Sequence, residues 1–238
     1  MYNQIRVEFY KLWSSKFFYL SILGFIGLGV FMSYNNYVFW ELDLTGQQAF
    51  IRAISENDFL FIIALLVSHF IGSDFTNRTI TNEVRVGYSR TCVVLSRAIV
   101  LLPFAVLLYL FYAAPQVLVE GILNGFGGVI AVSDMLIRTI LFAFHVMAIT
   151  SFTALNVFWC KKASLGMIIS FFFTLVTCNI LSNFDDNIIY QATSFYLMTR
   201  VGWVMTTQEL IFSFVSAAVT LMVVLFAACI VFRKAELK

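Results

Sequence analysis

Residues 98–119 read AIVLLPFAVLLYLFYAAPQVLV, a stretch without a single charged side chain. A helix needs about 20 predominantly apolar residues to cross ~30 Å of hydrocarbon. Comparable stretches recur along the chain, separated by short polar loops. The six predicted spans are Phe17–Tyr34, Phe59–Ser73, Ala98–Val119, Thr139–Trp159, Ala163–Ser182 and Leu210–Phe232. The pattern therefore predicts an all-α integral membrane protein.

The overall composition supports this fold class. Of the 238 residues, 61% are hydrophobic and 12% are charged, and the mean hydropathy is +0.91. Soluble domains are about 45–50% apolar and about 25% charged. The length fits one membrane domain, residues 17–238, and leaves no room for a soluble catalytic domain. Because no G-x-x-x-x-G-K-[ST] phosphate loop occurs, we expect no ATP hydrolysis and no cofactor in this chain.

The basic residues lie almost entirely in every other loop. Twelve of the 15 Lys and Arg fall on one side of the predicted bundle, and only Arg52, Arg138 and Arg200 fall on the other. Loops rich in Lys and Arg face the cytoplasm. We therefore predict a multi-pass protein of the cell membrane with both termini cytoplasmic.

The first 16 residues predict a separate helical element. Tyr2, Ile5, Phe9, Leu12 and Trp13 recur at helical spacing, which makes one apolar face. Such a helix lies flat at the inner leaflet, like an elbow before the first span. Of this face, Phe9, Leu12 and Trp13 are the expected anchors. The alternative is a simple extension of the first span.

Enzymatic chemistry finds little support in the sequence. His69 and His145 are the two histidines, and neither has a second ligand at the spacing of a zinc site. A neutral imidazole bonded to a helix carbonyl is the simpler interpretation of each. No G-x-S-x-G turn occurs, and no charge lies near the centre of a predicted span. An intramembrane protease or acyltransferase stays as one alternative function, and a regulatory membrane subunit without transport as another.

The loop after the second span predicts a short helix. Residues 72–90 read GSDFTNRTITNEVRVGYSR. Asp74 and Thr76 are potential N-terminal caps. Gly87 can end the helix in the left-handed conformation, and Ser89 can cap the helix that follows. The alternative is a solvated turn.

The same loop predicts a docking surface. Ile80 and Val84 lie four residues apart and form an apolar ridge, which we expect to face the cytoplasm and to dock into a partner. Charged side chains surround this ridge. Arg90 and Arg97 are expected to bind phosphate headgroups.

Three short motifs in this loop resemble the permease subunits of ABC-2 type exporters, also called the type V fold. They are residues 72–75 (GSDF), 79–82 (TITN) and 87–90 (GYSR). The order of elements is also similar: an elbow helix, six spans, and a cytoplasmic coupling helix between the second and third spans. Small bacterial permeases of this kind often export peptides or protect against bacteriocins.

The resemblance implies a permease that moves an amphipathic substrate such as a peptide. It would pair with a second permease, identical or related, and dock on a separate ATPase that holds ATP and Mg²⁺; no nucleic-acid partner is expected. The residues that the resemblance assigns to ATPase coupling are Phe75, Asn77, Arg78, Thr79, Ile80, Asn82, Glu83, Val84, Arg85, Ser89 and Arg90.

Overall fold

The computed structural model describes residues 1–39, 43–55, 59–127, 131–177 and 206–235. In these ranges the regular structure is entirely helical, which confirms the predicted class. The helices are α1 (Tyr2–Ser14), α2 (Lys16–Val38), α3 (Gly46–Ser55), α4 (Leu60–Thr76), α5 (Thr79–Arg85), α6 (Arg90–Asn124), α7 (Val132–Cys160), α8 (Ala163–Leu175) and α9 (Thr207–Arg233).

Four helices, α2, α6, α7 and α9, are long and apolar enough to cross a membrane. Helices α3 and α4 add a fifth crossing if they are taken as one span, bent by 61°. The fifth predicted span corresponds to the shorter α8, and its last residues, 178–182, lie outside the described residues. The part of the chain that the structure describes thus holds four to five apolar helices of spanning length, and the count of six stays a prediction.

Helices α6 and α7 form the centre of the bundle. Both are mostly buried, whereas α2 and α9 leave most of their apolar surface exposed. Tyr109 and Tyr112 of α6 are fully buried, and the ring of Tyr109 lies 5.0 Å from that of Phe142 of α7. Exposed apolar side chains on α2 and α9 are favourable when lipid surrounds these helices.

Two glycines permit the closest helix contacts. A Cβ on Gly29 of α2 would lie 2.3 Å from the carbonyl oxygen of Tyr112. A Cβ on Gly72 of α4 would lie 2.6 Å from the Cα of Ala163, the first residue of α8. Small residues let helix backbones approach in this way. Gly72 therefore joins α4 to α8 at the end of the bundle that carries α5.

Helix α3 was not predicted. The sequence predicts a polar loop over residues 35–58, but Gly46–Ser55 is an amphipathic helix packed on α6. Its buried face holds Ala49, Ala53 and Ile54, and the N–H of Gly46 donates to the carbonyl of Gly125 at 3.0 Å. Ten residues are too short for a span, and for that reason a search for long apolar stretches misses this helix.

Helix α1 is distinct from α2, since it ends at Ser14 and α2 begins at Lys16. Its buried residues are Gln4, Glu8 and Leu12. Phe9 and Trp13 stack with centroids 6.3 Å apart and are largely exposed, and their role as interfacial anchors stays a prediction. The grouping of Leu12 with these anchors was wrong, because Leu12 packs into the protein core.

Candidate coupling site between helices α4 and α6

The start of α5 differs from the prediction. Asp74 and Thr76 do not cap it, because both belong to the last turn of α4. The Thr76 hydroxyl instead donates to the Gly72 carbonyl at 3.2 Å. The residue before α5 is Arg78, in the left-handed conformation with φ of 56°, and it supplies no side-chain cap.

The end of α5 was predicted correctly. Gly87 has a φ of 103°, a value that favours glycine. The N–H of Gly87 donates to the Val84 carbonyl at 3.1 Å, and the N–H of Tyr88 donates to the Glu83 carbonyl at 3.2 Å. These two bonds form a Schellman motif. The Ser89 hydroxyl then accepts from the N–H of Cys92 at 3.3 Å, which caps α6. The turn between α5 and α6 is therefore well defined.

The apolar ridge of α5 faces the bundle. Ile80 is fully buried, and Val84 is half-buried against the protein core. The expectation that Ile80 faces the cytoplasm was wrong. The amphipathic pattern showed that α5 has an apolar face, but the bundle itself offers the apolar surface that covers this face. The exposed residues of the segment are Thr76, Asn77, Arg78, Asn82, Arg85, Val86, Gly87, Tyr88 and Ser89.

Three aromatic rings connect the ends of the neighbouring helices. Phe75 of α4 lies 5.8 Å from Phe158 of α7 and 6.1 Å from Phe232 of α9, and Phe158 lies 5.1 Å from Phe232. Ile80 belongs to the same hydrophobic cluster. Aromatic pairs at these distances contribute beyond the burial of their surface. Phe75 is therefore part of the support of α5 rather than of an exposed docking face.

Arg97 of α6 is the centre of an ion cluster. Its Nη2 lies 2.7 Å from Asp74 Oδ2 of α4 and 3.3 Å from Glu8 Oε1 of α1. Its Nη1 and Nη2 donate to the two carboxylate oxygens of Glu83 of α5, at 3.0 and 3.1 Å. The side chain is 1% exposed. Arg97 thus connects four helices, and the expectation that it binds a headgroup was wrong.

Lys11 is the second cation of the cluster. Its Nζ lies 2.9 Å from Glu8, 3.5 Å from Asp74 and 3.6 Å from Glu83. Three carboxylates therefore share two cations. Burial raises the pKa of Glu8, and Asp74 adds to this effect, while Arg97 and Lys11 oppose it. The raised pKa means that desolvation of the Glu8 carboxylate outweighs its ion pairs.

Arg90 also contacts protein rather than a headgroup. Its Nη1 donates to the carbonyls of Phe232 (3.2 Å), Arg233 (3.0 Å) and Ala235. Its guanidinium lies 5.9 Å from the centroid of the Phe232 ring. A cation at the carboxyl end of a helix satisfies carbonyls that have no partner within the helix. Arg90 thereby caps α9 from the first position of α6.

His145 makes a buried contact between two helices. His145 Nε2 lies 2.7 Å from the Ser213 hydroxyl of α9, and both side chains are fully buried. We expected His145 to bond to a helix carbonyl, but its Nε2 bonds instead to a hydroxyl of another helix, α9. Since neither group is open to water, the pair is suited to holding α7 against α9. His69 is exposed and lies 4.6 Å from the Phe17 ring.

A family model described as "ABC-2 family transporter protein" matches residues 4–177. The chain belongs to the ABC-2 family of transporter proteins. The match spans α1 to α8 and so includes the ion cluster and α5. No curated protein matches the chain. The protein is thus a multi-pass membrane permease of the ABC transporter type, and its family implies an ABC ATPase as partner.

The structure of this ABC-2 permease divides the predicted coupling residues into two sets. Phe75, Ile80, Glu83, Val84 and Arg90 contact the bundle, whereas Asn77, Arg78, Asn82, Arg85 and Ser89 are exposed and Thr79 is half-buried. The sequence did not reveal that Glu8, Lys11, Asp74 and Arg97 form one cluster. It also did not reveal that the apolar groups of Val86 and Tyr88 are exposed. One signal was available: Arg97 lies about two helical turns beyond Arg90, the end of the loop, where an unpaired charge is unfavourable.

Proposed function

We propose that this permease is the membrane half of an ATP-driven exporter, and that a separate ATPase holding ATP and Mg²⁺ docks on the turn that follows α5. The family supports an exporter permease with an ABC ATPase partner. The observation that carries the docking site is the exposed pair Val86 and Tyr88 on a hydrogen-bonded turn. Val86 is 80% exposed, directly after a helix whose other apolar groups are covered.

The chemistry of this turn defines the partner surface. A groove that covers Val86 and Tyr88 gains about 25 cal/mol for each Å² of apolar surface removed from water. The exposed charges of the segment are those of Arg78 and Arg85, since Glu83 is engaged by Arg97. We therefore expect an acidic rim around an apolar groove on the ATPase. Such charges determine orientation and association rate more than affinity.

The ion cluster provides the path from the docking turn into the bundle. A displacement of α5 moves Glu83, and Glu83 is bound to Arg97 by two parallel hydrogen bonds. Arg97 in turn holds Asp74 of α4 and Glu8 of α1. The coupling movement therefore reaches α1, α4 and α6 together.

The arrangement in the membrane follows from the exposed surfaces. Phe9 and Trp13 of α1 would lie in the inner headgroup region, as interfacial aromatic residues do. We infer from the charge bias that both termini lie in the cytoplasm and that the protein has six spans in the cell membrane. The exposed apolar sides of α2 and α9 would meet lipid or a second permease. An amphipathic substrate such as a peptide would move between the two permeases.

The test is Val86→Asp in the permease co-expressed with its ATPase. We expect at least about a tenfold loss of co-purified ATPase, because the change places an unpaired charge in a buried apolar contact. Val132→Asp is the matched control, since Val132 is also an exposed valine, 74% exposed, at the start of α7. Ile80→Asp cannot serve here, because it charges the protein core.

Two readouts separate the outcomes. Size-exclusion chromatography of the permease alone checks that Val86→Asp still folds, as an exposed position predicts. ATPase binding and substrate-stimulated hydrolysis then report coupling. If Val86→Asp and Val132→Asp retain the ATPase equally, the turn after α5 is not the docking site.

A further inference from the structure

A second polar feature lies between the end of α4 and the turn from α7 to α8. A cavity of about 620 Å³ opens there, next to the close contact of Gly72 with Ala163. None of the described residues that line it is acidic. Its lining carries two ammonium groups, one imidazole and three hydroxyls, which belong to Lys161, Lys162, His69, Ser73, Thr76 and Ser164.

The backbone adds to the positive potential of this cavity. Helix α8 begins at Ala163, and its N-cap residue, Lys162, makes no side-chain hydrogen bond to the first turn. The first N–H groups of a helix have no partner within it, and the helix dipole makes this end positive. Ala163 and Ser164, at that end, are both part of the lining. The basic side chains and the helix end therefore favour the same ligand, an anion.

The surroundings of the cavity indicate where the anion comes from. Trp159, two residues before Lys161, is 70% exposed, and tryptophan is enriched at the level of lipid headgroups. Phe75 and Met167 give the cavity an apolar wall beside its basic one. A free phosphate has no group that such a wall could bind, whereas a lipid has both a charged head and apolar chains.

We propose that this cavity binds the phosphate headgroup of an anionic membrane lipid, with the lipid chain against the side of Phe75 and Met167. Basic pockets between membrane helices on the cytoplasmic side are suited to such headgroups. The inference concerns a surface separate from Val86 and Tyr88, so it does not depend on where the ATPase docks.

The experiment uses the purified full-length permease in detergent and follows its unfolding temperature. Dioleoylphosphatidylglycerol is titrated in, and dioleoylphosphatidylcholine and inorganic phosphate are titrated in parallel. A ligand that binds only the folded protein raises this temperature. We expect phosphatidylglycerol alone to do so. An equal rise with phosphatidylcholine or with inorganic phosphate would overturn the proposal.

Variants then locate the binding. The double variant Lys161→Gln, Lys162→Gln should need roughly 30-fold more phosphatidylglycerol for half of the temperature rise, since each lysine contributes about a factor of five. The double variant Arg6→Gln, Lys16→Gln is the matched control, because it removes two exposed positive charges from α1 and from the start of α2. If both double variants lose the same affinity, attraction is general and the cavity is not a site.

A third variant covers the case in which the lysine variant does not fold. Ser164→Glu places a carboxylate in the first turn of α8, where an acidic side chain stabilises the helix. The same carboxylate repels an anionic headgroup. We therefore expect a permease of at least normal stability without lipid that gains no stability from phosphatidylglycerol. A normal response of Ser164→Glu to this lipid would overturn the proposal.

Discussion

Arg97 and Asp74 form an ion pair with Nη2 and Oδ2 2.7 Å apart, which joins α6 to the last turn of α4. The same guanidinium also holds Glu83 and Glu8. Because this one side chain neutralises carboxylates from three other helices, its removal leaves buried negative charges close to one another.

Arg97→Ala should therefore destabilise the permease by about 3–5 kcal/mol, the usual effect of removing one partner of a buried ion pair. The stability of Arg97→Lys should lie between that of Arg97→Ala and that of the parent, because an ammonium cannot make the paired bonds to Glu83. The measurement is the unfolding temperature in detergent. Arg85→Ala, an exposed arginine of α5, should change stability by less than about 0.5 kcal/mol. A similarly small change for Arg97→Ala would show that the cluster is not structural.

The pH dependence of Glu8 gives a second prediction. Its pKa is raised from 4.5 by burial, so the folded protein binds this proton more tightly than the unfolded chain does. The stability linked to Glu8 is thus present below 4.5 and is lost as the pH rises through the folded pKa. Glu8→Gln resembles the protonated form at every pH. The stability of Glu8→Gln relative to the parent should therefore be greater near pH 7 than near pH 4.

Unfolding temperatures of both proteins at the two pH values test this. The charges that act on Glu8 are those of Arg97, Asp74 and Lys11, and all of them are kept in the variant. Should the difference between variant and parent be the same at both pH values, the carboxylate of Glu8 is not the group that titrates.

A third prediction concerns the contact between α4 and α8. Gly72→Ala would place a Cβ 2.6 Å from the Cα of Ala163, and backbone must move to make room. We expect a loss of roughly 1–3 kcal/mol. Gly27→Ala in α2 is the control, because a Cβ there meets nothing within 4 Å, and alanine favours a helix by up to about 1 kcal/mol. Equal stability of the two variants would contradict the close packing of α4 on α8.

The hydrogen bond between His145 and Ser213 gives a fourth prediction, which separates a structural role from a catalytic one. Ser213→Ala removes one partner of a 2.7 Å bond and should reduce stability by about 1–3 kcal/mol, since it leaves a buried polar group unpaired. Substrate-stimulated ATP hydrolysis should persist in the complex with the ATPase. Complete loss of this hydrolysis with normal stability would contradict a purely structural role for the bond.

The matched control is Ser170→Ala. The hydroxyl of Ser170 is equally buried, but it has no hydrogen-bond partner among the described residues. Its removal should be close to neutral.

The orientation gives a fifth prediction, tested by labelling in intact cells. Single cysteines at Asp43 and Gly127, both exposed, should react with an impermeant thiol reagent from outside. Cysteines at Asn82 and Lys162, also exposed, should react only after the membrane is opened. The background needs Cys92, Cys160, Cys178 and Cys229 replaced. Labelling of Asn82 in intact cells would reverse the topology.

Features determined by neighbouring residues could be read from the sequence. The glycine that ends α5 and the serine that caps α6 each act within a few residues, and both lie where they were predicted. The long helices also followed from their composition, although their ends extend beyond the apolar stretches. Helix α6, for example, begins at Arg90, eight positions before the predicted start of its span.

The direction in which α5 faces could not be predicted in this way. The spacing of Ile80 and Val84 establishes an apolar face, but either the bundle or a partner can cover it. Arg97 presented a similar choice, since a cation near a helix end is equally suited to a phosphate or to carboxylates from distant segments. Glu8 lies 89 positions away in the chain, and only the tertiary arrangement brings it to 3.3 Å.

Arg90 has one more consequence for how the molecule moves. Its side chain joins the start of α6 to carbonyls that lie 142 to 145 positions later, at the end of α9. At this end of the bundle, hydrogen bonds therefore join α9 directly to α6, so the helices form a closed ring although the ends of the chain are not joined. A force applied at the turn before α6 acts on the final helix directly, without first displacing α7. An ATPase bound there would tighten or loosen a closed ring of helices instead of tilting a single one.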